Sequence, residues 1–457
     1  NQGFRENGRT FNGGPIYGSP KRSNFGFINL NFNQDDTVRT LTKANNPYIL
    51  QFYAIPAGKT LIIEPGVVIK SYTSGAKIDI FGSLQATGST QEKIVFTSGR
   101  DKGLAGNLEN STVGTWSSPT TTPQDWQGLW FRPSSTAILD NTILRYAGKG
   151  FVVPPNALPV SQAIRLDNAN ATISNSNFSD NGPLALFEKN STTTITNTVF
   201  ANGDRAIQSE NSLLSVSDSS FTNFTNSNGP LYTKDRWPIL TQLNYSSNLL
   251  NMPFLEAVTI SEPEVSIGAD ENILVNVLKV APSSTLNIEP GVSVHMPLYG
   301  FAEVRGTLNA NGTAEKPINF LPRPGDPAWG NIRFYNSNST LNYVNFKQGN
   351  RLNGRPENLN GMIIANDSNL TINNSNLSDS EANSIQANNS TVQVSNSNIG
   401  VAVKNNTRGI KAVSGNVSLN NVNFNNLYIG MESGSSDLPA LIVDIQNMVS
   451  SSFSNVD

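Results

Sequence analysis

Thr60-Leu61-Ile62-Ile63-Glu64-Pro65-Gly66-Val67 occurs a second time as Thr285-Leu286-Asn287-Ile288-Glu289-Pro290-Gly291-Val292, 225 residues further on. The echo continues in order. Gly82-Ser83-Leu84-Gln85-Ala86-Thr87-Gly88 is answered by Gly306-Thr307-Leu308-Asn309-Ala310-Asn311-Gly312, Glu92-Lys93 by Glu315-Lys316, and Trp126-Gln127-Gly128-Leu129-Trp130-Phe131 by Trp329-Gly330-Asn331-Ile332-Arg333-Phe334. Matches of this length in one order mean an internal duplication, and so a repeat architecture.

Around these segments lie short apolar runs bounded by Gly, Pro or Asn: 49–52, 60–63, 67–70, 77–80, 94–96 and 129–131. None keeps a 3.6-residue period, so the chain reads as all-β with very short strands. A shorter period follows. Ala171-Thr172-Ile173-Ser174-Asn175-Ser176-Asn177-Phe178 returns as Thr193-Thr194-Ile195-Thr196-Asn197-Thr198-Val199-Phe200, then as Leu214-Ser215-Val216-Ser217-Asp218-Ser219-Ser220-Phe221, in steps of 22 and 21 residues. In the second half Ile372, Val394 and Leu419 step by 22 and 25. One coil of roughly 22 residues accommodates three short strands and their turns, which is the geometry of a parallel β-helix. Within each coil Ile173 and Phe178 are expected to point inward. The Asn-Ser-Asn between them is expected at a turn, where Asn tolerates left-handed backbone and its amide bonds the next Asn in the stack.

The expected organisation is a cap over 1–47, a first β-helix block over 48–250, a second over 251–430 continuous with it, and a closing coil over 431–457. The cap reading rests on the Gly- and Asn-rich start and on the need to cover an open coil end. The chain of 457 residues opens at Asn1 without Met, which suggests part of a longer protein. A net charge of −3 leaves no basic stripe for nucleic acid. Cysteine is absent, which excludes disulfides and thiolate chemistry. No stretch approaches the ~18 consecutive apolar residues of a membrane span, so no membrane insertion is expected.

The Leu-x-Ile-Glu-Pro-Gly-Val, Gly-x-Leu-x-Ala-x-Gly and Trp-x-x-Leu/Ile-x-Phe segments, followed by Asn-ladder coils, resemble the right-handed parallel β-helix of the pectate-lyase-like superfamily. That fold carries lyases, hydrolases, tailspikes and adhesins alike. Size, Asn-rich composition and lack of Cys also resemble the C-terminal β-helix of tāpirins. These are surface proteins of cellulose-degrading thermophilic bacteria that adhere to cellulose without cleaving it. The resemblance implies a bacterial, extracellular or cell-surface location.

Catalytic chemistry is not legible. Glycan cleavage needs facing carboxylates or an equivalent acid and base, yet the one Asp-Asp pair, Asp35-Asp36, falls in the expected cap. The lone His295 aligns with Lys70 at the 225-residue offset, which suggests an outward, solvated position. Glu64 and Glu289 precede Pro-Gly, where a turn contact accounts for them. Asp79, Asp140, Asp167 and Asp218 lack the spacing of a dedicated calcium loop. No catalytic residue, metal site or cofactor is therefore expected, and the chain reads as a non-enzyme.

Binding residues are sought among aromatics, whose faces pack on pyranose rings. Alternation puts Leu129 and Phe131 on the core face, so Trp130 is expected outward and exposed. Trp116 lies in a long insertion over 97–125 that is much shorter in the second block. Tyr232 and Trp237 fall between the blocks, and Tyr146 closes the first Trp-containing stretch. These five are the candidate carbohydrate-binding residues. The expected function is adhesion to insoluble plant polysaccharide, most of all cellulose. The alternatives are a polysaccharide lyase or hydrolase and a self-associating structural surface protein.

Overall fold

The computed structural model describes residues 4–6, 9–11, 32, 36–102, 120–150, 161–349, 360–402, 407–433, 442–446 and 453–454. The expected cap over 1–47, the closing coil over 431–457 and Trp116 fall wholly or largely outside them. The chain is an all-β parallel β-helix of about 15 turns, counted over two compact units. The first comprises Asn1–Tyr232 and Pro238–Asn251, the second Thr233–Trp237 and Met252–Asp457. Beyond an antiparallel pair, Phe4–Glu6 with Arg9–Phe11, and a single 3-10 turn at Lys43–Asn45, the described elements are short parallel strands.

In the first unit each coil contributes one strand to each of three sheets. The first sheet runs from Val38–Leu41 through Thr136–Asp140 and Thr192–Thr196 to Ile239–Thr241. The second runs from Tyr48–Leu50 through Ile94–Ser98 to Asn244–Ser246. The third includes Phe52–Ile55, Lys77–Ile80, Gly128–Phe131, Gln162–Asp167, Leu184–Lys189 and Arg205–Glu210. The stretch 49–52, read as one strand, is divided between two, because Gln51 turns the corner from the second sheet to the third.

The repeat alignment gives the register directly. Ile173 pairs with Ile195 and Ile195 with Val216; in the second unit Ile372 pairs with Val394 and Val394 with Leu419. Each inward residue therefore stacks on its counterpart one coil away. Phe178, Phe200, Phe221 and Tyr245 form one such column, with successive centroids 5.4, 5.3 and 5.2 Å apart. Each aromatic contact adds about 0.5–1.5 kcal/mol beyond the burial itself.

The turns behave as their Asn content requires. Asn175 and Asn197 hold left-handed φ of 50° and 46°. Asn197 Nδ2 donates to Asn175 Oδ1 at 2.8 Å, and Asn175 Nδ2 donates to Asp140 Oδ1 at 2.7 Å. A carboxylate, which only accepts, thus heads a ladder of amides that both accept and donate. The duplicated glycines and tryptophans keep their duties in both units. A Cβ on Gly82 would lie 2.1 Å from the Lys59 carbonyl oxygen, and one on Gly306 2.1 Å from that of Ser284. Trp126 and Trp329 are both buried, and their indole N–H groups donate to the carbonyls of Arg145 and Lys347 at 3.0 and 2.7 Å.

Candidate functional site: a cation–aromatic face on the first unit

Strand alternation orients the third sheet of the first unit. Leu129 and Phe131 are fully buried and stack on Ile164 and Leu166, so Trp130 and its partner Arg165 lie on the outer face. There the structure departs from expectation, because Trp130 is only 7 % exposed. Cations roof it. The Arg132 guanidinium lies 3.2 Å from its ring centroid, Arg165 5.1 Å and the Lys77 ammonium 5.4 Å. Its indole N–H donates to Asp167 Oδ2 at 2.7 Å, and Arg165 Nε donates to the same oxygen at 2.6 Å. An outward tryptophan among long cations is attracted to them through its ring quadrupole and is covered rather than offered to solvent.

The same cations reach other rings. Lys77 lies 5.3 Å from Phe52, Arg132 5.5 Å from Phe81, and Arg165 5.3 Å from Phe187. Phe52 and Phe81 are 48 % and 45 % exposed and are the open rings of the face. Asp79 holds both flanking cations, 2.8 Å from Lys77 and 3.0 Å from Arg132. Open aromatic planes thus lie beside ammonium and guanidinium donors, an arrangement able to stack sugar rings and hydrogen-bond their substituents. Sequence reasoning named Trp130 and missed Phe52, Phe81, Arg132 and Arg165. Phe52 pairs with Lys77 in register, a relation that only alignment of those two coils exposes.

The other candidates are dispersed. Tyr232 is half-buried, with the Arg205 guanidinium 4.7 Å from its ring. Trp237 packs against the core of the second unit. Tyr146, at φ 61°, sits where the insertion returns, and its carbonyl accepts from the Asp125 N–H at 2.8 Å.

The ends of that insertion are clamped by two buried carboxylates. Asp101 receives both Arg145 Nε and Nη2 at 2.7 Å, and the Thr97 hydroxyl at 2.5 Å. Asp125 accepts from Ser98 at 2.6 Å, from Thr122, and from Arg100. Burial disfavours the Arg145 charge, but the bonds and charge of Asp101 outweigh it and hold its pKa above the ordinary value. The expectation of solvated cations at Lys70 and His295 is corrected, at Lys70 by this clamp and at His295 by burial in the second unit. Lys70 is fully buried, its ammonium donates to the Asp101 carbonyl at 2.5 Å, and burial pushes its pKa down to about 8. His295 is half-buried, with Nδ1 3.1 Å from the Pro322 carbonyl oxygen and its pKa lowered by burial.

The four aspartates weighed for calcium lie in different settings. Asp79 and Asp167 are engaged by cations, Asp140 heads an Asn ladder, and Asp218 is exposed at a turn with a left-handed φ of 50°. Glu64 and Glu289 lie at their turns, with backbone N–H groups donating to Leu41 and Ile267 carbonyls at 3.0 and 3.2 Å. Among the described residues no helix is long and apolar enough to cross a membrane.

No protein-family model matches the chain, and neither does any curated protein. Solved structures similar to it include the periplasmic alginate epimerase AlgG, at 11% identity and TM-score 0.20, covering 93% of this chain and 79% of that one. PfbA, a surface adhesin of Streptococcus pneumoniae, is similar at 11% identity and TM-score 0.21 over 87% of this chain and 86% of that one. The catalytic domain of a GH87 alpha-1,3-glucanase in complex with tetrasaccharides is similar at 11% identity and TM-score 0.16, over 98% of this chain and 70% of that one. The reading of the chain as a non-enzyme is corrected here. The similar structures include an epimerase and a glucanase catalytic domain as well as an adhesin.

Proposed function

We propose that the outer face of the third sheet in the first unit binds a polysaccharide chain at a bacterial cell surface, with insoluble plant polysaccharide, cellulose foremost, as the polymer. The observation that supports this reading is the pair of open rings, Phe52 and Phe81, each flanked by a cation that also packs on Trp130. Aromatic side chains, with two rotatable bonds, lose little entropy when a sugar stacks on them. An aromatic contact fully desolvated against ligand is worth on the order of 1–3 kcal/mol.

The test is retention of the chain on microcrystalline cellulose, with pectin and alginate in parallel. The Phe52→Ala/Phe81→Ala variant is expected to bind several-fold more weakly with an unchanged unfolding midpoint. Undiminished binding by that variant to every polymer would refute the reading. The same incubations report turnover as reducing ends or as unsaturated products absorbing in the ultraviolet. Turnover abolished by Asp79→Asn would make this face an active site.

A further inference from the structure

The first sheet of the first unit has an open face of a different chemistry. Its eight strands pair in continuous register, so their outward residues form columns along the unit. One column includes Thr136, Asn170 and Thr192, the next Thr172, Thr194 and Ser215, the third Ser174, Thr196 and Ser217. None of the outward positions is buried, most carry a hydroxyl, and Asp140 is the one charged side chain among the paired ones. Hydrogen bonds join neighbours within the face from Thr136 to Ser83 at 2.9 Å and from Ser217 to Thr196 at 3.4 Å.

Strand geometry spaces these groups about 4.8 Å apart from coil to coil and about 6.6 Å along each strand. The result is a regular, almost uncharged grid in which hydroxyl side chains predominate and Ile138, Leu213 and Ile239 stand exposed among them, each of the threonines presenting a hydroxyl and a methyl. A long charged side chain would hold a solid at a distance and would have to be desolvated on contact. The paired positions of this face carry no lysine or arginine, whereas the third sheet of the same unit carries Lys77, Arg132 and Arg165. Charge complementarity therefore separates the two faces. A polymer bearing no charge and lying in a flat lattice of hydroxyls and C–H groups matches the grid, and a polyanion gains nothing from it.

We propose that this hydroxyl face docks on the flat crystal face of an uncharged polysaccharide, a contact separate from the stacking of a single chain on Phe52 and Phe81. It rests on the polysaccharide reading given above. Many hydrogen bonds and methyl contacts, each weak, add up across a rigid grid because no further side-chain ordering is needed.

The experiment compares the wild type, Thr172→Lys/Thr194→Lys, Thr172→Val/Thr194→Val and Phe52→Ala/Phe81→Ala on two probes, microcrystalline cellulose and soluble hydroxyethylcellulose. All the changed side chains are exposed, and matching thermal transitions establish that each variant folds. The lysine variant is expected to lose at least fivefold in retention on the crystalline probe while binding the soluble one like the wild type, with the valine variant in between. Equal retention of the wild type and the lysine variant overturns the proposal and leaves the aromatic reading standing. An equal loss on both probes also overturns it, by showing one site for single chains. If the wild type binds neither probe nor pectin nor alginate, both readings fall together. Sedimentation velocity supplies the last outcome: a dimer that the lysine variant abolishes would assign the face to a second copy of the chain and overturn the proposal.

Discussion

The guanidinium carbon of Arg132 lies 3.2 Å from the centroid of the Trp130 ring. The two residues sit at the end of one strand and the turn that follows it, yet their contact converts an outward tryptophan into part of a packed layer. Arg165, from the next coil, covers the same ring and shares Asp167 with it.

Trp130→Ala should therefore act on stability. Removing a ring that is nearly buried and bonded to Asp167 should cost roughly 3 kcal/mol, close to the 3–5 kcal/mol of the core change Phe131→Ala. Phe52→Ala should stay within about 0.5 kcal/mol. Denaturant unfolding of the three variants measures this, and a Trp130→Ala midpoint equal to that of Phe52→Ala would show the ring to be free.

Arg145→Ala leaves Asp101 buried, its two charged donors gone. The expected loss is about 3 kcal/mol, because the Thr97 hydroxyl and the nearby Lys70 ammonium offset only part of the buried carboxylate's charge. Arg145→Lys should recover only part of it, since an ammonium cannot reproduce the two-pronged geometry. A loss below about 1 kcal/mol in urea unfolding at neutral pH would mean that solvent screens the pair.

Glu188 points into the core on a column with Phe131 and Leu166, and accepts from the Ser209 hydroxyl at 2.5 Å. Burial raises its pKa from 4.5 to about 7, against the hydrogen bond from Ser209. The fold therefore prefers the protonated acid. That preference is fully present below the unfolded value near pH 4.5 and is lost as pH rises through about 7. The wild type should be less stable at pH 8.5 than at pH 5 by roughly 3 kcal/mol from this group. Glu188→Gln should flatten the dependence, and identical pH profiles for the two proteins would place the carboxyl in contact with water.

Asp140 behaves in the opposite sense. Burial favours its neutral form, but hydrogen bonds from Ser174, Asn175 and Asn141 together outweigh burial and lower its pKa. Its stabilising contribution is present above the unfolded carboxylate value and disappears as pH falls through the depressed folded one. Asp140→Ala should cost about 2 kcal/mol at pH 7 by unpairing the head of the ladder. Acid titration followed by circular dichroism should show the wild type's excess stability vanishing at low pH.

Gly82→Ala and Gly306→Ala should each cost about 3 kcal/mol or more, because the new Cβ meets backbone carbonyl oxygen at 2.1 Å, where nothing flexible can yield. Gly75→Ala is the control, its nearest neighbour being the Thr73 hydroxyl at 3.9 Å. A thermal scan in which all three variants melt alike would contradict the backbone approach.

The sequence by itself determined the direction of side chains and the stacking of coils. Alternation puts Leu129 and Phe131 inside, and the 22-residue step from Ile173 to Ile195 is the register observed. Asn175 takes the left-handed turn read for it. These features repeat with a fixed period, so one chain shows them many times over. What lies above an outward side chain follows no period, and there only the tertiary structure decided. Lys70 is sealed by Asp101, 31 residues away, and by the chain that leads to it. Trp130 is roofed by Lys77 and Arg165 from other coils, while Phe52 and Phe81 stay open. A strand pattern specifies which way a side chain points; its exposure depends on neighbours that only the wound chain brings together.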